Sequence, residues 1–296
     1  MIPLPADAGA ACAPVCLAIE AMATRFELVL PCVDLPSNRG SHEIAQEALA
    51  EIARLESHLS CHQPASDVSW INAYAGRRAV KVAPALFSLL QRCVALSEAT
   101  DGAFDITVGP LMRAWEVDPS RLAADARTRV GYRHLRLDPR ASTIRFERPG
   151  MSIDLGAAGK GYAVDRAIEI LRNHGAGSAL LHGGTSSVHA VGAPPRADGW
   201  KIAWRLPDSP GRTVALRDRA LSVSAPHGKT VIHGGTVFGH VLDPRTGAPV
   251  RSTSSALVTG PGSFECDALS TALLVLGTKW LPTLRARFPG YVGFTG

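Results

Sequence analysis

Aromatic residues are scarce in this chain of 296 residues: Phe, Tyr and Trp make up 6%, and charged residues only 19%. The densest basic runs are Arg77-Arg78 and the loose series Arg121, Arg127, Arg129 and Arg133. Neither is interleaved with aromatics in the manner of a nucleic-acid surface, so they read as solvated faces. The net charge of +5 instead suits an anionic small-molecule ligand. The six cysteines, at 12, 16, 32, 61, 93 and 266, include no C-x-x-C pair, which gives neither a zinc site nor a disulfide framework. No apolar run is long enough to cross a bilayer. The first twenty residues lack the basic start and unbroken apolar stretch of a signal peptide. The chain therefore reads as cytoplasmic as written, or as periplasmic if a leader is missing from it.

Both common nucleotide loops are absent too. The stretch IDLGAAGKGYAVD, residues 153 to 165, has glycines and a lysine at the apparent start of a helix. Gly156 is three positions ahead of Gly159, and Gly161, not Ser or Thr, follows Lys160. That is not a P-loop, and the glycine order is not the dinucleotide fingerprint. The elements of a phosphate site remain: exposed backbone N–H groups, a helix starting near Tyr162, and the charge of Lys160. The competing reading is a tight strand-to-helix turn with a surface lysine.

What is present is an ordinary globular composition, 46% hydrophobic, in one large domain or two lobes around a cleft. Residues 1–20 read as a flexible N-terminal arm rich in Ala and Pro, and 21–296 as a single domain. TRFELVL (24 to 30) reads as a strand. Helical spacing of Ile44, Ala48, Ile52, Leu55 and Leu59 predicts a helix over 42–60. Further helices are expected at 83–100, 162–175 and 265–277. Between the last two lies a strand-rich stretch: SALLHG, WKIAWRL, TVALRD, ALSVSA, VFGHVLD and SSALVTG, punctuated by Gly, Pro and Asp turns. A last strand is expected in YVGFT. Strands mixed with helix pairs predict an α+β fold, not a regular βαβ alternation.

Three places carry chemistry-bearing residues. Asp105 sits among apolar neighbours in DGAFDITVGPLMRAW and needs either a turn to cap or a ligand. Asp267 and Thr271 are four apart in ECDALSTALL, with Asp267 in the first helical turn, so their oxygens share one face. Together they suit a hard cation such as magnesium, or else helix-dipole compensation with a back-bonded threonine. FGHVLDPRTGAP supplies His240, a base near neutral pH, and Asp243 with Arg245, read as a turn lock. Ser222 and Ser224 lie in a strand and not at a G-x-S-x-G elbow, so no serine hydrolase triad is expected.

Together these segments resemble the ApbE-type flavin transferases, the FAD:protein FMN transferases. The resemblance rests on MAT at 22–24, ESHLSCHQPASDVSWIN at 56–72, DGAFDITVGPL, IDLGAAGKGYAVD, HVLDPRTG and DALSTALLVLG, in the family's order. It implies a two-lobed α+β fold with mixed sheets and packed helices around a central FAD cleft. It also implies that the glycine loop serves FAD. By correspondence, Mg²⁺ (or Mn²⁺) is held by the backbone carbonyl of Ala157 with Asp267 and Thr271. The flavin nucleotide is contacted by Met22, His62, Ala103, Phe104, Asp105, Asp154, Lys160 and His240. The implied reaction moves FMN from FAD to a Thr or Ser hydroxyl of a partner flavoprotein, releasing AMP, with Lys160 and His240 as catalytic residues and His240 as the base. The partners implied are FAD and that acceptor protein, without nucleic acid or a transmembrane segment.

The chain departs from the family pattern at four places. Ala23 replaces the Gly of Met-Gly-Thr, His62 a frequent Tyr, His182 the Asn of Asn-Gly-Gly, and Val223-Ser224-Ala225 the tripeptide Thr-Ser-Gly. The last change is expected to remove a hydroxyl from the cleft wall. A magnesium-dependent FAD pyrophosphatase and a non-catalytic FAD-binding protein are the rival readings of the same site.

Overall fold

The computed structural model describes residues 13–31, 40–118, 124–204, 211–226, 230–233, 235–250 and 255–296. Cys12, Cys32, Arg121 and most of the expected arm lie outside them. The helices are α1 (Ser41–Leu59), α2 (Asp67–Tyr74), α3 (Pro84–Ala99), α4 (Gly109–Val117), α5 (Ala124–Thr128), α6 (Gly159–Asn173), α7 (Ser263–Leu276) and α8 (Leu281–Arg287). Strands β1 (Val15–Ala21), β2 (Thr24–Leu30), β6 (Ala179–Gly183), β7 (Ser187–Val191), β10 (Arg219–Ser224), β13 (Ala256–Gly260) and β14 (Val292–Thr295) build one sheet in the order β1-β2-β6-β7-β10-β13-β14. Every pairing in it is antiparallel. The smaller sheets are β3 (Val80–Lys81), β5 (Thr143–Phe146) and β4 (Leu135–Asp138), and the hairpins β8 (Trp200–Trp204) with β9 (Arg212–Leu216) and β11 (Thr230–His233) with β12 (Thr236–Gly239). The fold is α+β, as the grouping of strands and helices in the sequence implies.

The alternation of side chains along a strand assigns the two sheet faces. On β2, Phe26, Leu28 and Leu30 are buried and join the main core with Ile44, Ala48 and Ile52 of α1 and the inner faces of α6 and α7. The opposite face, with Leu180, Leu221 and Leu257, is covered by Trp200 and Leu216 of the β8–β9 hairpin. Helix α7 buries residues on all sides, Cys266, Asp267, Leu269 and Leu273 among them, because it lies between the sheet and α6. A carboxylate in such a helix needs partners, and it has them.

Three expectations on boundaries are corrected. The arm does not extend to residue 20: Val15–Ala21 is an edge strand, its alternate residues Val15, Leu17 and Ile19 packing on the core. Helix α6 begins at Gly159 and not near Tyr162, so Lys160 is in its first turn. Helix α7 begins at Ser263, which puts Asp267 in the second turn, beyond the region where the helix dipole alone would hold it.

The two-residue turn between β1 and β2 has Met22 at φ 51° and Ala23 at φ 56°, both left-handed as the strand twist of a tight hairpin demands. Alanine is strained there. Ala23→Gly is expected to stabilise the protein by about 0.5–1 kcal/mol, the relief of strain less the entropy glycine adds to the unfolded chain. The check is a raised denaturation midpoint at unchanged slope.

Candidate functional site

The segment from Ile153 to Gly161 is held at one end by Asn72 of α2. Its side-chain amide donates to the Ile153 carbonyl at 2.9 Å and accepts from the Ile153 N–H at 2.7 Å. Asp154 follows, half-buried, its N–H bonded to the Ile106 carbonyl at 2.7 Å and its Oδ1 accepting the Gly156 N–H at 2.7 Å. The thiol of Cys61 is pushed up to about 12 by burial and by the neighbouring Asp154 charge. His62, beside it, is exposed.

The other end of the segment meets α7. Gly161 is the third residue of α6, so its N–H has no acceptor within the helix. It donates to Asp267 Oδ2 at 3.0 Å. Asp267 Oδ1 accepts from Ser222 Oγ at 3.3 Å. Burial raises the Asp267 pKa, while the Lys160 charge and the bonds from Gly161 and Ser222 pull it back. Lys160 Nζ donates to the Gly156 carbonyl at 3.3 Å. One turn on, Thr271 donates its proton to the Asp267 carbonyl at 3.2 Å, and its Oγ1 lies 3.1 Å from Ser224 Oγ. The threonine is thus back-bonded and still offers lone pairs from its oxygen. Of the two readings its spacing from Asp267 allowed, the back-bonded threonine is present.

Ser222 and Ser224 were legible only as strand residues. They alternate in ALSVSA, so both face α7, and Val223 between them packs on the opposite face with Leu221 and Trp200. The expectation that valine here strips a hydroxyl from the cleft wall is therefore wrong: a threonine at 223 would point away from Asp267. His182 accommodates its place differently, with Nδ1 3.2 Å from the Gly184 carbonyl and Nε2 3.1 Å from Glu27 Oε2.

The remaining predicted residues separate by burial. Ala103 and Phe104 are sealed in the main core, so they can meet a ligand only through their backbone. Asp105 caps a short turn: Oδ1 accepts from the N–H and hydroxyl of Thr107 (2.8 and 2.7 Å) and Oδ2 from the Tyr132 N–H at 2.8 Å. Burial nevertheless raises its pKa. Met22 is half-buried against the core, and His240 is half-buried just after β12. Asp243 and Arg245 form the expected turn lock, a two-pronged ion pair at 2.9 and 2.8 Å.

The anchor of α7 was not foreseen. Asp165, one turn past Lys160, accepts the N–H groups of Ser263 (2.7 Å) and Phe264 (2.9 Å), capping α7 from α6. Buried His189 of β7 lies 2.7 Å from Ser263 Oγ through Nδ1, and 3.5 Å from Asp165. The only signal in the sequence was a carboxylate on an otherwise apolar helical face, in GYAVDRAIEI. Burial opposes ionisation of Asp165, but bonds from His189, Phe264 and Ser263 together hold its carboxyl below the ordinary range. Its stabilisation is therefore present above pH 3.8 and is lost as pH falls through the depressed value. Asp165→Asn can accept only one of the two N–H groups. It is expected to lose about 2–3 kcal/mol at pH 7, with the gap to the parent protein narrowing on acidification; urea melts at pH 7 and pH 3 would show a constant gap if the carboxylate were idle.

The fold and site define an α+β protein of the ApbE type. The ApbE protein of Thermotoga maritima has a TM-score of 0.84 at 26% identity, over 95% of this chain and 93% of that one. The apo flavinyl transferase ApbE of Pseudomonas stutzeri shares the fold at TM-score 0.81 and 24% identity, over 96% of this chain and 94% of its own. The sequence pattern of the ApbE family matches residues 22–292, and the chain belongs to that family. Its curated relatives include the FAD:protein FMN transferases of Klebsiella pneumoniae, 30% identical over 83% of this chain and 81% of that protein, and of Treponema pallidum, 29% identical over 84% and 75%.

Proposed function

We propose that this chain is a magnesium-dependent FAD:protein FMN transferase that esterifies a Thr or Ser hydroxyl of a target flavoprotein and releases AMP. One observation supports the metal part: the buried Asp267 carboxylate lies close enough to feel the Lys160 charge, with the Thr271 hydroxyl one helical turn on; the family resemblance adds the Ala157 carbonyl. Among the described residues there is no group of three or more His, Cys, Asp or Glu that could hold a metal. A single carboxylate with neutral oxygens fits magnesium, which keeps several waters and shares phosphate oxygens, better than it fits zinc. Bound there, magnesium or manganese would neutralise charge on the FAD pyrophosphate. Its curated relatives being FAD:protein FMN transferases supports the substrate.

In this reading Lys160 and the N–H groups at the start of α6 bind the anionic pyrophosphate. Met22, His62 and Asp154, with the backbone of Ala103 to Asp105, orient the rest of FAD. The acceptor oxygen bonds the FMN-side phosphorus, and the bond from that phosphorus to the bridging oxygen breaks. AMP leaves with that oxygen, and His240 takes the hydroxyl proton.

The test is to incubate protein, FAD and Mg²⁺ with and without an acceptor domain, following AMP and acceptor mass. An FMN-sized gain that EDTA abolishes is expected. AMP without labelling would mean a pyrophosphatase, and bound FAD without AMP a binding protein. His240→Asn is expected to slow transfer about 10²-fold or more at unchanged FAD affinity; a full-rate variant would exclude it as the base.

A further inference from the structure

The hairpin of β11 and β12 lies between two parts of the site. Before it comes Ser224, bonded to Thr271; immediately after it comes His240. Its two ends meet: a Cβ on Gly239 would lie 2.3 Å from the Pro226 carbonyl oxygen. Among the described residues, strands β11 and β12 pair only with each other, as a separate two-stranded sheet. Ile232 and Val237 stand directly opposite in its register and are 73% and 58% exposed. They are among the few large apolar side chains the described residues present to solvent. Such a cross-strand pair stabilises its hairpin modestly, but folding does not require leaving it uncovered. The sequence from Pro226 to His240 contains His227, Lys229, His233 and His240 and no Asp or Glu.

We propose that this hairpin is the docking strut for the acceptor flavoprotein, its apolar pair seating on an apolar, neutral-to-acidic surface beside the hydroxyl to be modified. The inference rests on the transferase reading, which requires a folded protein to present a hydroxyl at His240. A small-molecule substrate needs no exposed apolar ridge next to His240 in the chain; a protein substrate does, because the loss of its freedom must be offset by burial. The open strand edges add a second means of attachment, since an extended acceptor segment can pair with them. Ile232 and Val237 are not in the metal or nucleotide machinery, so docking and chemistry are separable.

The test is the double variant Ile232→Ser, Val237→Ser, with Ile232→Leu, Val237→Ile as the conservative control. Wild-type protein is first shown to transfer FMN; failure there removes the transferase reading itself. With transfer established, the serine variant is expected to raise KM for the acceptor about tenfold or more. FAD KM and the rate at saturating acceptor should stay within about twofold, and the Leu/Ile variant should behave as wild type. Unchanged acceptor KM in the serine variant would overturn the proposal. So would a fall in saturated rate at constant KM, which would make the hairpin a support for His240. A shift from dimer to monomer in sedimentation would assign the ridge to a second copy of this chain and likewise overturn it. Unchanged thermal melting confirms that the exposed substitutions leave the fold intact.

Discussion

Asp267→Ala is expected to lower FMN transfer by about 10²–10³-fold or more, the scale on which one electrostatic group at a transferring phosphoryl contributes. The argument runs through burial. Asp267 is 4% exposed in the second turn of α7, a place where an ionised carboxylate survives only with charge or donors nearby. Lys160 and the Gly161 N–H supply part of it, and a divalent cation would supply the rest. Under the proposed metal assignment Asp267 is the charged ligand, so Mg²⁺-dependent turnover should vanish without it while FAD binding, spread over many contacts, weakens modestly. Isothermal titration with FAD beside AMP release would separate the two. Loss of FAD binding in parallel with activity would mean that Asp267 holds the loop and not the metal. The neutral isostere Asp267→Asn keeps the volume, so its inactivity would exclude a packing explanation.

The largest effect on folding is expected from Gly161→Ala. A Cβ there would lie 2.3 Å from the Ser263 carbonyl oxygen and 2.8 Å from Asp267 Cβ, and neither can swing aside. Helices α6 and α7 would have to part where Gly161 bonds Asp267 and Asp165 caps Ser263. About 3 kcal/mol of destabilisation is expected, a fall of roughly 6–12 °C in Tm, with loss of activity even where the chain stays folded. Gly76→Ala is the control: among the described residues nothing lies within 4 Å of a Cβ there, and its melt should not move. An unchanged melt in Gly161→Ala would mean that the helices slide apart at little cost.

The sequence was informative where periodicity or a turn signal is local. TRFELVL became β2 without adjustment, and the helix expected over 42–60 differs from α1 by one residue at each end. Helices α6 and α7 began two or three residues earlier than expected because what starts them is not in their own sequence. Helix α7 is capped by Asp165 on another helix, and α6 starts on glycines whose value lies in close approach. The pair Asp267 and Thr271 was visible through its spacing, whereas Ser222 and Ser224 became partners only when β10 was laid against α7. Asp105, read as either a turn cap or a ligand group, is seen as the cap, its oxygens accepting from Thr107 and Tyr132. Strand β1 was missed since its outward residues, Cys16, Ala18 and Glu20, are exposed, which weakens an apolar signal.

The bond between Gly161 and Asp267 joins residues 106 positions apart, and Glu27 meets His182 across 155. Contacts so distant in sequence form late, after the chain-closure entropy has been met. During synthesis the β1–β2 hairpin must therefore wait for β6, and the Lys160 loop for α7, so the nascent chain carries an apolar sheet edge with no finished site behind it. Catalytic competence should arise in one step once α7 has been made, and chaperone demand should be greatest just before it.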